Sequence, residues 1–250
     1  MNSDQTLVIV PTYNERENIP TLLPRVLESL KDAHFLLVDD NSPDKTAEYV
    51  EEQFGGNPQV HIMRRTGLRG LGRSYVDGYR FALAGNYARV IQMDADFSHD
   101  PKYLPDMVAA SAGADVVMGS RYCEGGGVRD WPRSRLIMSR FANKYVSVIT
   151  GVKIKDATAG FRCYTRRALE RINIDEIVSN GYAFQVEMTY RAELAGLRVV
   201  EIPIIFTDRT LGQSKISRSV LIESAILPIR LRFSLPKKHL IRAAGQPLDK

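Results

Sequence analysis

Asp94 and Asp96 stand two residues apart, directly after the apolar run Val90-Ile91-Gln92-Met93. Carboxylates at this spacing can offer hard oxygen ligands to Mg²⁺ or Mn²⁺, and such an ion can hold a diphosphate at the same time. A DxD triplet arises by chance in many chains and then serves as a turn or helix cap. Position favours the metal here, because acids clustered at a strand end repel one another unless a cation or hydrogen bonds offset them. Two further polar clusters also follow apolar runs: Pro11-Thr12-Tyr13-Asn14-Glu15 and Asp39-Asp40-Asn41-Ser42-Pro43-Asp44. A crevice lined by their hydroxyls, amides and carboxylates suits a base and a ribose, with the metal taking the phosphates. Tyr13 is placed to flank the base, and Glu15 and Asp40 to accept its N–H or ribose O–H donors. Asn14 and Ser42 read equally as cap and turn residues, which is compatible with that lining.

The elements needed to bring these clusters together are legible as alternation. Short apolar, largely β-branched runs at 7–11, 35–39, 60–63, 90–93 and 115–119 are predicted strands; helical periodicity falls between them at 19–30, 45–54, 70–83 and 104–111. Each helical stretch is long enough to cross from one parallel strand to the next. An α/β fold with an open, Rossmann-like, mostly parallel sheet flanked by helices is predicted, with ligands collecting beyond the carboxyl ends of the strands. The second half is less regular: a glycine-rich loop at 124–128, helices near 134–149 and 183–195, and a strand at 198–206. With no low-complexity linker and no internal repeat, residues 1–217 read as one catalytic domain and 218–250 as a C-terminal extension. Val220, Leu221, Ile222, Ala225, Ile226, Ile229 and Leu231 make the extension apolar, while Glu223 and Pro228 interrupt it. That pattern fits an interfacial amphipathic helix or a helix packed on the catalytic domain.

Composition supports this reading. The 250 residues are 44% hydrophobic and 25% charged, as in a globular domain with a sizeable core. Cys123 and Cys163 are far apart and show no CxxC or Cys/His metal spacing, so neither a disulfide framework nor a zinc site is expected, and a reducing compartment is. The amino terminus lacks the charged and long apolar regions of a signal peptide. No run approaches the roughly 18 apolar residues of a spanning helix. Lys and Arg outnumber Asp and Glu by 34 to 29, a net charge of +5, and Arg230, Arg232, Lys237, Lys238 and Arg242 concentrate the excess near the end. A tail of this kind can meet anionic lipid or nucleic acid.

Taken in order, the Pro11–Glu15 and Asp39–Asp44 clusters, Asp94-Ala95-Asp96, Gly119-Ser120-Arg121-Tyr122 and Asp208-Arg209-Thr210-Leu211-Gly212-Gln213-Ser214-Lys215 resemble dolichol- and polyprenol-phosphate mannosyltransferases of glycosyltransferase family 2. The similarity runs from about residue 7 to 217, and the last two motifs are the more specific to the polyprenyl-phosphate branch. The resemblance implies a GT-A fold, a GDP-mannose donor, Mg²⁺ or Mn²⁺, a polyprenyl phosphate acceptor and inversion at the anomeric carbon. It also implies that Pro11, Tyr13, Glu15 and Asp40 hold the nucleoside and that Asp94 and Asp96 take the metal. Related enzymes often carry Gln two residues after the second Asp as a further ligand; Ser98 stands there instead and can ligate directly or through water.

Arg121, Arg133, Arg135, Arg209 and Lys215 suit an acceptor that is itself an anion, since guanidinium forks and a Lys point charge match phosphate oxygens. A phosphate oxygen is already deprotonated at neutral pH, so the reaction needs no strongly perturbed base. Catalysis then rests on in-line positioning and on cations that neutralise the departing diphosphate, with Arg121, Arg209, Lys215 and Asp96 as the catalytic candidates. Asp156 and Arg162, in a segment similar to the family's acceptor side, are further candidates, with Gly160 expected to permit a tight turn.

Rival readings differ in kind. The same chemistry with UDP-glucose is the nearest. A nicotinamide oxidoreductase would need GxGxxG after the first strand, where Pro11–Glu15 stands. A non-catalytic basic module for membranes or nucleic acid leaves the Asp94/Asp96 pair unexplained. A lipid acceptor places the chain peripherally at the cytoplasmic face of a membrane, docked through its extension or through an integral-membrane partner; no nucleic-acid partner is expected.

Overall fold

The computed structural model describes residues 5–179, 181–208 and 226–233. Arg209, Lys215 and most of the 218–250 extension lie outside the described residues.

The first strand, β1 (Thr6–Thr12), is apolar on both faces, and Leu7 to Val10 are wholly buried. Continuous burial of this kind is what a central parallel strand covered by helices on both sides requires. It is followed by α1 (Ile19–Ser29), β2 (His34–Asp39), α2 (Thr46–Phe54), β3 (Val60–Arg64), α3 (Leu71–Ala84) and β4 (Arg89–Gln92). Next come α4 (Leu104–Ser111), β5 (Val116–Ser120), β6 (Gly127–Arg129), α5 (Arg133–Thr150), β7 (Arg162–Thr165), α6 (Arg166–Ile172), α7 (Gly181–Leu194), β8 (Val199–Pro203) and β9 (Ile205–Thr207). The seven-stranded sheet has the order β3-β2-β1-β4-β7-β5-β8, and every neighbouring pair is parallel except those made by β7. One core cluster packs α3, α6 and α7 on one face; the other packs α1, α2 and α4 on the opposite face. Gly78 of α3 lets that helix approach β1: a Cβ there would sit 2.8 Å from Ile9 Cγ2.

Two features depart from the sequence reading, and a third selects between its alternatives. Residues 162–165, for which the sequence suggested no element, form β7, which runs antiparallel between β4 and β5 and pairs Ile91 and Val117 with Cys163. The single strand expected at 198–206 is two: after Pro203 the chain leaves the main sheet, and β9 pairs in parallel with β6 inside the glycine-rich loop. Residues 226–233 are helical, and Leu227 and Leu231, one turn apart, are buried in the core cluster beside α3 and α7. No helix among the described residues is long and apolar enough to cross a membrane.

At the opposite end of the sheet from the strand carboxyl termini, His34 Nδ1 lies 2.9 Å from both His61 Nε2 and the Tyr87 hydroxyl. Burial lowers the pKa of both imidazoles, and for His61 the neighbouring His34 lowers it further. The unfolded chain therefore takes up protons first as the pH falls below about 6.5. Stability contributed by the neutral pair is complete above that value and declines below it. Urea midpoints are expected to drop between pH 7.5 and 5.5, and the drop to shrink in a His34→Asn/His61→Asn variant; an equal drop in both would assign the loss to other groups.

Candidate active site

Beyond the carboxyl ends of β1 and β2 the two polar clusters are laced together. The Asn14, Glu15 and Arg16 backbone N–H groups donate to Ser42 Oγ (3.1 Å), Thr46 Oγ1 (3.2 Å) and Asp44 Oδ2 (3.0 Å). Asp39 is buried and accepts from Thr12 Oγ1 (3.0 Å) and from the Ser42 N–H and hydroxyl (2.9 and 2.5 Å). Asn14 and Asn41 take left-handed backbone conformations (φ 61° and 59°), which Asn tolerates and which turn both segments along the sheet edge. Pro11, Tyr13, Glu15 and Asp40 thus share one edge. Asp40 is nearly buried: Arg65 pairs with it and the Gly70 N–H donates to its Oδ2 (2.8 Å). Its carboxylate holds the 65–70 loop, from which the Arg69 guanidinium sits 4.6 Å over the Tyr13 ring. Neither arginine was singled out from sequence, where a cation in a loop carries no distinguishing pattern.

The acidic pair is held from several directions. The Tyr75 hydroxyl donates to Asp94 Oδ1 (3.1 Å), and burial, reinforced by Asp94, keeps that phenol protonated by raising its pKa well above the ordinary value. The Asp94 N–H donates to His99 Nδ1 (2.9 Å), so the ring proton sits on Nε2. Burial lowers the His99 pKa against the opposing pull of Asp94 and Asp96, and the imidazole is neutral. Between the acids and His99, Phe97 adopts φ 62°, an outlier for a bulky residue whose cost is about 1–3 kcal/mol. Ser98 holds this turn from the other side, donating through its N–H (3.1 Å) and its hydroxyl (2.5 Å) to Asp96 Oδ1. Ser98, expected as a metal ligand, lines the same cavity as the acids with its hydroxyl on Asp96 Oδ1.

Opposite the acids, Arg121 at the end of β5 is locked onto Asp156. Its backbone N–H (3.0 Å) and Nε (2.7 Å) donate to Asp156 Oδ2, and Nη2 donates to Oδ1 (2.6 Å). Asp156 is 0% exposed, and the Arg121 guanidinium is ringed by Tyr122, Trp131 and Phe206 at 5.2–5.5 Å. Asp156 therefore fixes the direction of the Arg121 guanidinium. Arg135 stacks 4.1 Å over Trp131 and donates to Asp208 Oδ2 (2.5 Å).

A cavity of about 290 Å³ lies between these groups, lined by Asp94, Asp96, Ser98 and His99 on one side and by Arg121, Arg135, Trp131, Phe206 and Asp208 on the other. Apolar side chains, among them Met138, Val146 and Ile204, complete it. Pro11, Tyr13, Glu15 and Asp40 lie outside this lining, as does Asp156 behind Arg121, and so do Arg133 and Arg162. Arg133 is exposed at the start of α5. Arg162 is 1% exposed and lies beneath the 156–161 loop, where it donates to the Ala159 and Ala157 carbonyls (2.7 and 2.9 Å); it props the loop from below. Gly160 likewise serves space rather than a tight turn: a Cβ would come 3.2 Å from His99 Cε1 and 3.7 Å from Asp94 Oδ2. His99, Tyr75, Trp131, Phe206 and Asp208 were given no role from sequence, although His99 stands three residues beyond Asp96 and Asp208 opens the Asp208–Lys215 motif.

The donor set suits a hard divalent cation. It offers two carboxylates at one strand end, with no third His, Cys, Asp or Glu completing a cage among the described residues. Mg²⁺ is commonly held in this way, by one or two carboxylates with substrate phosphates and water filling the remaining positions.

Residues 7–172 match the family described as Glycosyl transferase family 2. The chain is 47% identical over 219 residues to polyprenol monophosphomannose synthase of Mycolicibacterium smegmatis, covering 87% of this chain and 83% of that protein. It is 40% identical over 222 residues to undecaprenyl-phosphate mannosyltransferase of Micrococcus luteus, covering 89% and 91%. Among solved structures, glucosyl-3-phosphoglycerate synthase from Mycobacterium tuberculosis with Mn²⁺, UDP and glucosyl-3-phosphoglycerate superposes with a TM-score of 0.65 at 14% identity, over 93% of this chain and 81% of that one. A mannosyltransferase from Pyrobaculum calidifontis with GDP-mannose and Mn²⁺ gives 0.52 at 16% identity, over 96% and 72%. The fold is that of the GT-A glycosyltransferases.

Proposed function

The chain belongs to glycosyl transferase family 2, and on that premise we propose that it is a polyprenol-phosphate mannosyltransferase moving mannose from GDP-mannose to a polyprenyl monophosphate with inversion. The observation that carries this reading is that Asp94 and Asp96 share one cavity with Arg121 and Arg135, an arrangement suited to two phosphate-bearing ligands. The names of its relatives, a polyprenol monophosphomannose synthase and an undecaprenyl-phosphate mannosyltransferase, support the acceptor class.

In this reading the Pro11, Tyr13, Glu15 and Asp40 edge takes the nucleoside, with Arg69 over Tyr13 closing its side. Asp94 and Asp96 would hold Mg²⁺ or Mn²⁺, and the ion would supply positive charge against the donor diphosphate. Arg121 and Arg135, joined by Arg209 and Lys215, orient the acceptor phosphate. One of its oxygens attacks the anomeric carbon while the bond to the diphosphate breaks, and GDP departs with the electron pair. The oxygen is already ionised, so no side chain has to remove a proton; neutral His99 keeps Asp94 in place. The chain works peripherally at a membrane, and an integral-membrane partner would supply any anchor that residues 218–250 do not.

Radiolabelled transfer to a short polyprenyl phosphate tests the reading, with GDP-mannose and UDP-glucose compared and EDTA added in parallel. Product from GDP-mannose alone, lost with EDTA and restored by Mg²⁺ or Mn²⁺, is expected. Product from UDP-glucose alone would overturn the mannosyl assignment, and EDTA-resistant transfer would overturn the metal.

A further inference from the structure

A second and larger cavity, about 550 Å³, opens on the other side of Arg121, between α5 and the segment 151–155. Arg140, Lys144, Lys153 and Lys155 converge on it. Arg140 and Lys144 are one turn apart on α5, and Lys153 and Lys155 flank the buried Ile154 and both line the cavity. All four are exposed, and none forms an ion pair among the described residues. The nearby acids are committed elsewhere: Asp156 to Arg121, and Glu201 to the Lys155 and Asp156 N–H groups (2.9 Å each). Four like charges around one concavity repel each other unless an anion sits among them.

The same helix carries a second anomaly. Ile137, Phe141 and Val148 are 67–72% exposed, and at 100° per residue they fall within a narrow stripe beside Arg140 and Lys144, facing away from the buried Asn143, Val146 and Thr150. An apolar ridge flanked by unpaired cations is the pattern of a surface that lies in the headgroup layer of an anionic membrane.

We propose that this cavity takes the phosphate of an acidic membrane phospholipid, with the Ile137–Phe141–Val148 ridge in the acyl boundary. The site is distinct from the Asp94/Arg121 cavity and independent of which sugar is transferred. It would anchor α5, a wall of the first cavity through Met138 and Val146, against the bilayer.

The test is co-sedimentation of the full chain, without donor or acceptor, with phosphatidylcholine vesicles containing or lacking phosphatidylglycerol. Partition is expected to require phosphatidylglycerol, to fall roughly tenfold or more in Lys153→Gln/Lys155→Gln, and to be unchanged in the distant control Lys31→Gln/Arg171→Gln. Phe141→Ser should lower it as well. An equal fall in the control would mean diffuse charge attraction and would overturn the site, as would full binding by the Lys153/Lys155 variant. Inorganic phosphate that binds the free protein at the same lysines, while vesicle partition ignores them, would replace the lipid headgroup with a soluble phosphate ester.

Discussion

Asp96→Asn is expected to lower sugar transfer by about a thousandfold while leaving the protein folded. The magnitude follows from what the carboxylate supplies: half of a two-acid metal set and the field that neutralises a leaving diphosphate, effects of about 10²–10³ for one preorganised group and more where a metal is lost with it. The fold survives because Asn keeps the size of the side chain and an acceptor oxygen for the Ser98 N–H and hydroxyl, contacts of about 1 kcal/mol each. Initial rates with saturating donor, beside urea midpoints for the same samples, separate the two effects. Retention of a tenth of the wild-type rate would remove Asp96 from the reaction. Ser98→Ala offers a graded comparison: it keeps the carboxylate and loosens its aim, so a fall of about tenfold is expected, far short of Asp96→Asn.

The second large effect concerns the Arg121–Asp156 pair. Removing the carboxylate with Asp156→Ala strands a guanidinium whose side chain is 10% exposed, a situation that costs about 3–5 kcal/mol. Transfer should fall with it, since Arg121 loses the fork that fixes its direction. Stability and activity can be separated by the double variant Arg121→Met/Asp156→Leu, which removes both charges. Denaturation midpoints should recover most of the loss, because replacing a buried pair by apolar groups is often close to neutral. Activity should stay low, because Arg121, one of the two cations lining the cavity with the acidic pair, is gone. Recovery of activity in the double variant would make Arg121 a structural residue alone.

Much of the donor half was legible because its signals are local. β1, β2 and β4 are short apolar runs each ending in a polar cluster, and a parallel sheet brings such ends to one edge. The Asp94/Asp96 pair announces itself by spacing. The acceptor half was less legible because its partners are distant in sequence. Asp156 is explained by Arg121, 35 residues away, and Arg162 by carbonyls of the loop above it; as residue types the two looked alike, yet one orients a cation in the cavity and the other fills the loop's underside. Residues 162–165 offer four residues of mixed polarity, too few for periodicity to declare a strand. The break after Pro203 follows from pairing with β6, which no local pattern within 198–206 records.

The placement of β7 also constrains how the protein assembles. β4 and β5 both precede it in the chain, yet neither meets the other: each pairs with β7. Until residues 162–165 arrive, the two strands present open edges, rows of unsatisfied backbone groups of the kind that recruit other chains. The half built on β3, β2, β1 and β4 has its strand partners within residues 6–92, whereas the join to β5 and β8 waits for a contact some 70 residues distant in sequence, with the loop-closure entropy that entails. The strand that joins the two halves of the sheet is also the one that directly follows the 156–161 loop, so closing the sheet and closing the active cavity depend on the same pairing.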